Sequence, residues 1–81
     1  MTTRALRLTA DLIDHRDALR RLWGDRYAIT VKPARLVLRG VAAERGIDIA
    51  AAALQLAKEM DGKGADPSII LAALVDESEG A

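Results

Sequence analysis

Apolar residues recur every three or four positions over most of the chain, and this spacing predicts a bundle of amphipathic helices. In the first segment, one face of a predicted helix is formed by Leu12, Leu19, Leu22 and Trp23. Thr9 is a suitable N-cap for this helix, and Gly24 is suited to end it. The pattern therefore places a helix of about four turns near the start of the chain.

The apolar period changes to two between residues 27 and 31, where β-forming residues alternate with smaller or polar ones. This alternation predicts a short strand over 27–31. Pro33 would end the strand and open a second helix at its first position, and Gly46 would cap that helix. The basic stretch at about residues 4–8 is interpreted as a second short strand or as a loose arm.

A third helix is predicted after Asp48, its N-cap, and it opens with four consecutive alanines. In a helix-turn-helix unit such a helix would read bases with long polar side chains. The face predicted to be exposed offers Ala51, Ala52, Gln55 and Lys58. Because alanine does not reach bases, we interpret the alanines as packing residues, with Gly40 allowing a close approach of the facing backbone.

The last predicted helix follows Asp66 and Pro67 and is apolar on nearly every side. It carries more apolar surface than a chain of this size is expected to hide, which predicts a homodimer. The expected dimer interface is Ile69, Ile70, Leu71, Leu74 and Val75. The predicted fold is mainly α, a single compact four-helix domain over residues 1–81 with one or two short strands and a frayed tail at 78–81.

Composition narrows the class of protein. The chain has 51% hydrophobic residues, one Trp, one Tyr, no Phe and no Cys. Disulfides and cysteine zinc sites are therefore excluded, and the core must consist of aliphatic residues and alanine. The longest apolar run has seven residues, against about 20 for a membrane span. The start of the sequence lacks an apolar signal-peptide region, so we expect a cytoplasmic protein.

Opposite charges are segregated along the chain. Residues 1–45 contain ten Lys or Arg and five Asp or Glu, whereas residues 46–81 contain two and seven. Two interpretations stay open: the basic half meets a charged partner, or the two halves neutralise each other within the fold or across a dimer. The residues predicted to contact a partner are Arg16, Arg20, Arg21, Arg26, Lys32, Arg35 and Arg39.

Residues suited to catalysis or metal binding are sparse. His15 is the single histidine and has no second ligand at metal-binding spacing. Ser68 and Ser78 lie in a predicted first helical turn and in the tail, without a base beside them. The stretch "DGKGAD" has the wrong spacing for a calcium loop or a phosphate loop. We therefore expect no enzyme, no metal and no cofactor.

One motif suggests a DNA partner. Over residues 27–60 the predicted order is strand, helix, glycine turn and helix, with "AERG" before the turn and Asp48 after it. This segment resembles the ribbon-helix-helix family, in which two chains pair their strands into a ribbon that enters the major groove. The resemblance implies that Ala28, Thr30 and Lys32 would face DNA.

These observations lead to two expectations about function. The first is a small non-enzymatic inhibitor, adaptor or accessory regulator that occupies a site on a larger protein or nucleoprotein complex. Phage-encoded inhibitors of host defence are examples of this class. The alternative is a dimeric ribbon-helix-helix transcriptional regulator.

Overall fold

Four α-helices joined by short loops make up most of residues 10–80, the part of the chain that this computed structural model describes. They are α1 (Ala10–Trp23), α2 (Asp25–Arg45), α3 (Ile49–Gly62) and α4 (Ser68–Gly80). The prediction of a mainly helical four-helix fold is confirmed. None of these helices is long and apolar enough to cross a membrane. The predicted strand at 4–8 and the Thr9 N-cap lie outside the described residues.

The helix ends follow the local chemistry that the sequence indicates. Gly24 separates α1 from α2 with a φ of 57°, and Gly46 ends α2 with a φ of 67°. Both values lie in the left-handed region, which glycine adopts without steric cost. Asp48 caps α3, since its carboxylate accepts a hydrogen bond of 2.7 Å from the Ala51 N–H. The predicted caps at these positions are confirmed.

The predicted strand at 27–31 is wrong, because this segment is the first part of α2. Tyr27 and Val31 are each 4% exposed, whereas Ile29, between them, is 74% exposed. A strand would point all three side chains to one face, while a helix brings only residues four apart together. The buried positions continue at Leu38 and Ala42. One continuous helix therefore runs through Pro33 into the second half of α2.

Helices α2 and α4 form the centre of the fold, because each of them contacts the other three helices. Three of the five α4 residues assigned to a dimer interface are buried within the chain. Ile70, Leu74 and Val75 are at most 7% exposed. Ile69 and Leu71 are half-buried. A helix that is apolar all round is stable when other helices surround it, and α1, α2 and α3 supply that surrounding.

The alanines of α3 and Gly40 of α2 differ in whether they are buried or exposed. Ala52 and Ala53 are 0% exposed, so the packing interpretation holds for both, and the prediction that Ala52 is exposed was wrong. Ala50 and Ala51 are half-buried. Gly40 differs from the prediction, because a Cβ atom built on it meets nothing within 4 Å. No neighbouring backbone within the described residues approaches Gly40.

Replacing Pro33 tests the continuity of α2. Proline in a helix interior removes one backbone hydrogen bond and crowds the preceding turn, at a cost of up to about 3 kcal/mol. We expect Pro33→Ala to raise the free energy of unfolding, measured by chemical denaturation, by about 1–3 kcal/mol. Pro67→Ala is the matched control, since Pro67 directly precedes α4, where proline is favoured. Equal effects of the two changes would contradict a continuous α2.

Candidate binding groove

A groove of about 630 Å³ opens along α2, where side chains from α1 and α4 also reach. Its apolar part is formed by Ala28, Val31 and Leu36, all from α2. Its charged part has four cations and two carboxylates. The cations are Arg20, Lys32, Arg35 and Arg39; the carboxylates are Asp76 and Glu79. We term this site the basic groove.

One wall of the basic groove is a hydrogen-bonded network around the buried Asp76 carboxylate. Arg16 is 4% exposed, and its Nη1 donates to Asp76 Oδ1 at 2.6 Å. The Tyr27 hydroxyl donates to Asp76 Oδ2 at 2.8 Å. Two Arg16 nitrogens also donate to the Glu79 carboxylate, at 2.7 and 2.9 Å. The network therefore joins α1, α2 and α4 through polar groups that would each be costly to bury alone.

The pKa values in this network keep each group in the protonation state that its hydrogen bonds require. Hydrogen bonds to Glu79 raise the pKa of Arg16, and bonds to Asp76 and Asp17 add to this effect. Burial raises the pKa of Tyr27, and the hydrogen bond to Asp76 raises it further. The hydrogen bonds from Arg16 lower the pKa of Glu79. Arg16 therefore stays charged and Tyr27 stays a neutral donor.

A second set of ion pairs joins α2 to the end of α4. Arg39 donates to both oxygens of Glu77, at 2.8 and 2.7 Å, and Arg35 also pairs with this carboxylate. The hydrogen bond from Arg39 is the main cause that lowers the pKa of Glu77 to about 2, with Arg35 contributing. Much of the charge on these two arginines is therefore matched within the chain.

Lys32 and Arg20 are the cations of the basic groove with the most free donor capacity. No carboxylate within residues 10–80 lies at salt-bridge distance from Lys32, which is exposed. Arg20 is 53% exposed and reaches Asp76 only at 3.4 Å. Its guanidinium carbon lies 5.4 Å from the centre of the Tyr27 ring, a distance that allows a cation–π contact. The arrangement can bind an anionic group and an apolar group side by side.

The cations predicted to contact a partner fall into three groups. Arg20, Lys32, Arg35 and Arg39 line the basic groove. Arg21 and Arg26 are exposed outside it. Arg16 is corrected to an interior residue, because the buried carboxylate of α4 needs a cation beside it.

The residues that the ribbon-helix-helix resemblance assigns to DNA reading do not share one face. Ala28 and Lys32 line the basic groove, whereas Thr30 is exposed outside it. In a helix, residues two apart point about 200° apart. A ribbon with these three residues facing outward together is therefore not the geometry of this segment.

Four residues of the basic groove and its ion pairs were missed by sequence reasoning: Tyr27, Asp76, Glu77 and Glu79. Tyr27 was assigned to a strand, Asp76 and Glu77 to the last helix without a role, and Glu79 to the frayed tail. The segregation of charge was the available signal, because it already allowed neutralisation between the two halves. The ion pairs of Arg16, Arg35 and Arg39 with α4 show that this neutralisation occurs within the chain.

No group of three or more metal-binding side chains occurs among the residues that the structure describes. His15 is half-buried, and its Nε2 lies 3.3 Å from the Ser68 carbonyl oxygen, between α1 and the start of α4. Comparison with protein-family models, curated proteins and solved structures finds no match to this chain.

Truncation of Arg16 tests the buried network. We expect Arg16→Met to lower the free energy of unfolding by about 3–5 kcal/mol, because Asp76 then loses its nearest cation while buried. Tyr27→Phe should cost less, about 1–3 kcal/mol, because it removes one hydrogen bond. Arg21→Met is the control, since Arg21 is exposed and forms no ion pair with the described residues. Urea denaturation of the three variants gives the ranking, and a loss for Arg21→Met equal to that for Arg16→Met would refute it.

The acid dependence of stability tests the Glu77 pairs. Since folding lowers the pKa of Glu77 to about 2, its contribution is fully present above the pKa of the unfolded chain. The contribution is lost as the pH falls toward the folded pKa. We expect Glu77→Gln to cost about 1 kcal/mol at pH 7 and almost nothing near pH 2. Glu44→Gln, which removes no ion pair within the described residues, should follow the wild type over the whole range.

Proposed function

We propose that this chain is a non-enzymatic binding protein that occupies a site on a larger protein, and that its basic groove takes an acidic segment of that protein. The carrying observation is the cationic lining of the groove, in which Lys32 has no ion-pair partner among residues 10–80. The carboxylates beside it are already engaged by Arg16, Arg35 and Arg39. An incoming carboxylate therefore meets donor groups without displacing an internal acid.

The apolar lining supports a protein segment as the ligand rather than a free anion. Ala28, Val31 and Leu36 border the same groove as the cations, and Leu36 is 57% exposed. A peptide that alternates acidic and apolar side chains would bury the apolar surface and pair with the cations in one contact. Interfaces of this kind gain affinity from the buried apolar centre and orientation from the charges around it.

The alternative function is DNA binding by a regulator related to the ribbon-helix-helix family. Its support is the same row of cations, since Lys and Arg side chains neutralise phosphates. Because 27–31 is helical, this alternative needs a different contact geometry from the family's ribbon. We expect no sequence-selective DNA binding at physiological salt.

Photocrosslinking from the groove tests the proposal. A photoreactive residue replacing Lys32 should crosslink one protein in the native host, and the crosslinked peptide should be rich in Asp and Glu. The same residue replacing Lys58, on the exposed side of α3, is the matched control and should not crosslink this protein. With the purified partner, Lys32→Glu should weaken binding at least about tenfold and Lys58→Glu should not.

Two results would count against the proposal. The first is a partner whose affinity is unchanged by Lys32→Glu. The second is enrichment of a palindromic site from a random duplex library, with the enrichment lost in the Thr30→Ala, Lys32→Ala double variant. That second result would favour the DNA-binding alternative.

A further inference from the structure

The side of α2 that points away from the other helices is apolar along most of its length. Ile29 is 74% exposed, Leu36 57% and Val37 53%. At about 100° per residue, these side chains share one side of the helix with three smaller or cyclic exposed residues. We term this surface the outer face. It consists of Ile29, Pro33, Leu36, Val37, Gly40 and Ala43.

Gly40 makes a notch in the outer face. A Cβ atom at this position would meet nothing within 4 Å, so the notch is open to the outside. Glycine in a helix interior weakens the helix relative to alanine, and no contact within the described residues makes use of the missing side chain. A notch of this kind lets a side chain or backbone from outside come close to α2.

Two opposite charges flank the outer face. Arg26 lies near the start of α2 and Glu44 near its end, and both are exposed. Their separation in sequence corresponds to about five full turns at 3.6 residues per turn, so both lie on the same flank. Within residues 10–80, neither has an oppositely charged partner at salt-bridge distance.

We propose that the occupant of the outer face is a second copy of this chain, with the two α2 helices packed antiparallel. A twofold axis perpendicular to both helices places the same flanks of the two copies beside each other. Arg26 of each copy then meets Glu44 of the other, and both charges are matched twice. In a parallel pair the same flanks lie on opposite sides of the contact, so Arg26 and Glu44 of one copy do not meet those of the other. The surface is therefore self-complementary in the antiparallel direction alone.

The register that pairs these charges also fits the shape of the outer face. Arg35 lies midway between Arg26 and Glu44, so the helices cross near this level. Pro33 then lies opposite Val37 of the second copy, and Ile29 lies within one residue of the level of Gly40. The notch at Gly40 accepts the Ile29 side chain. A shallow crossing angle of about 20° keeps the whole outer face in contact.

The proposal is independent of what the basic groove binds. The groove lies on the neighbouring side of α2, and the two surfaces share only Leu36. A dimer through the outer face therefore places the two basic grooves side by side, on the flank away from Arg26 and Glu44. It replaces the sequence-based dimer through α4, whose apolar residues form the interior of each copy.

Charge exchange in the full-length chain, followed by sedimentation equilibrium, tests the arrangement. The wild type should sediment with twice the 8.7 kDa chain mass. Arg26→Glu and Glu44→Arg should each weaken the dimer at least about tenfold, because each places like charges together twice. An equimolar mixture of the two variants should recover a one-to-one heterodimer, and the doubly exchanged chain should recover the homodimer.

The apolar contribution has its own pair of variants. Ile29→Ser should weaken the dimer, whereas Leu22→Ser should not, although Leu22 is 76% exposed. Leu22 is on α1, outside the outer face, which makes the two changes a matched pair. Circular dichroism verifies that each variant keeps its helical content.

Three outcomes would overturn the proposal. A wild type that stays monomeric at about 100 μM shows that the outer face does not take a second copy. A dimer that is unaffected by both charge variants uses a different surface. A dimer that the single variants dissociate but the mixture does not restore is not the antiparallel arrangement.

Discussion

The buried carboxylate of Asp76 is the constraint on which the arrangement of three helices depends. A charge at 9% exposure, directly after the apolar run of α4, is tolerated only when a cation and hydrogen-bond donors reach it. Arg16 supplies the cation from α1, and the Tyr27 hydroxyl supplies a donor from α2. Both helices must therefore hold one rotation and one axial position against α4. Apolar packing alone, with short side chains, would allow several similar positions.

The small side chains of the core make this polar constraint important. Ala52, Ala53, Ala72 and Ala73 are all 0% exposed, and among residues 10–80 the only large side chains that are fully buried are Leu38 and Val75. Alanine lets helices pack closely. It specifies their rotation about their own axes only weakly, because a single methyl group hardly interlocks with neighbouring side chains. The ion pairs of Arg16 with Asp76 and Glu79 specify the helix rotation that the alanine-rich core leaves open.

Sequence reasoning predicted the elements that depend on local chemistry and missed those that depend on tertiary contacts. Gly24, Gly46 and Asp48 mark helix ends by backbone geometry and capping, which act within a few residues. The segment 27–31 is rich in β-forming residues, and its local preference was overridden by contacts far along the chain. The Tyr27 hydroxyl is buried and donates a hydrogen bond to Asp76, 49 residues away in sequence. A comparison of positions 27, 31, 38 and 42 would have shown the helical stripe, but the proline at 33 concealed it.

The apolar residues of α4 were misassigned for a different reason. An all-round apolar helix fits either an external interface or a central position, and its own sequence does not distinguish the two. The apolar surface of the other helices distinguishes an external interface from a central position. In α2 the apolar residues fall into two sets. Tyr27, Val31 and Leu38 turn toward α4, while Ile29, Leu36 and Val37 turn away from it. Of the five large apolar residues that are exposed among residues 10–80, three therefore lie on α2 and none on α4.

Helix α2 breaks three local rules at once along its outer face. Pro33 and Gly40 both weaken a helix interior, and Ile29 exposes most of an apolar side chain to water. Elsewhere in the described chain the caps and the paired buried charge agree with the fold, although Leu22 on α1 is 76% exposed. Where several local costs fall on one surface and no contact within the molecule offsets them, the compensation is expected from outside it. The same helix supplies most of the basic groove, so both of the surfaces that we propose to contact another molecule lie on α2.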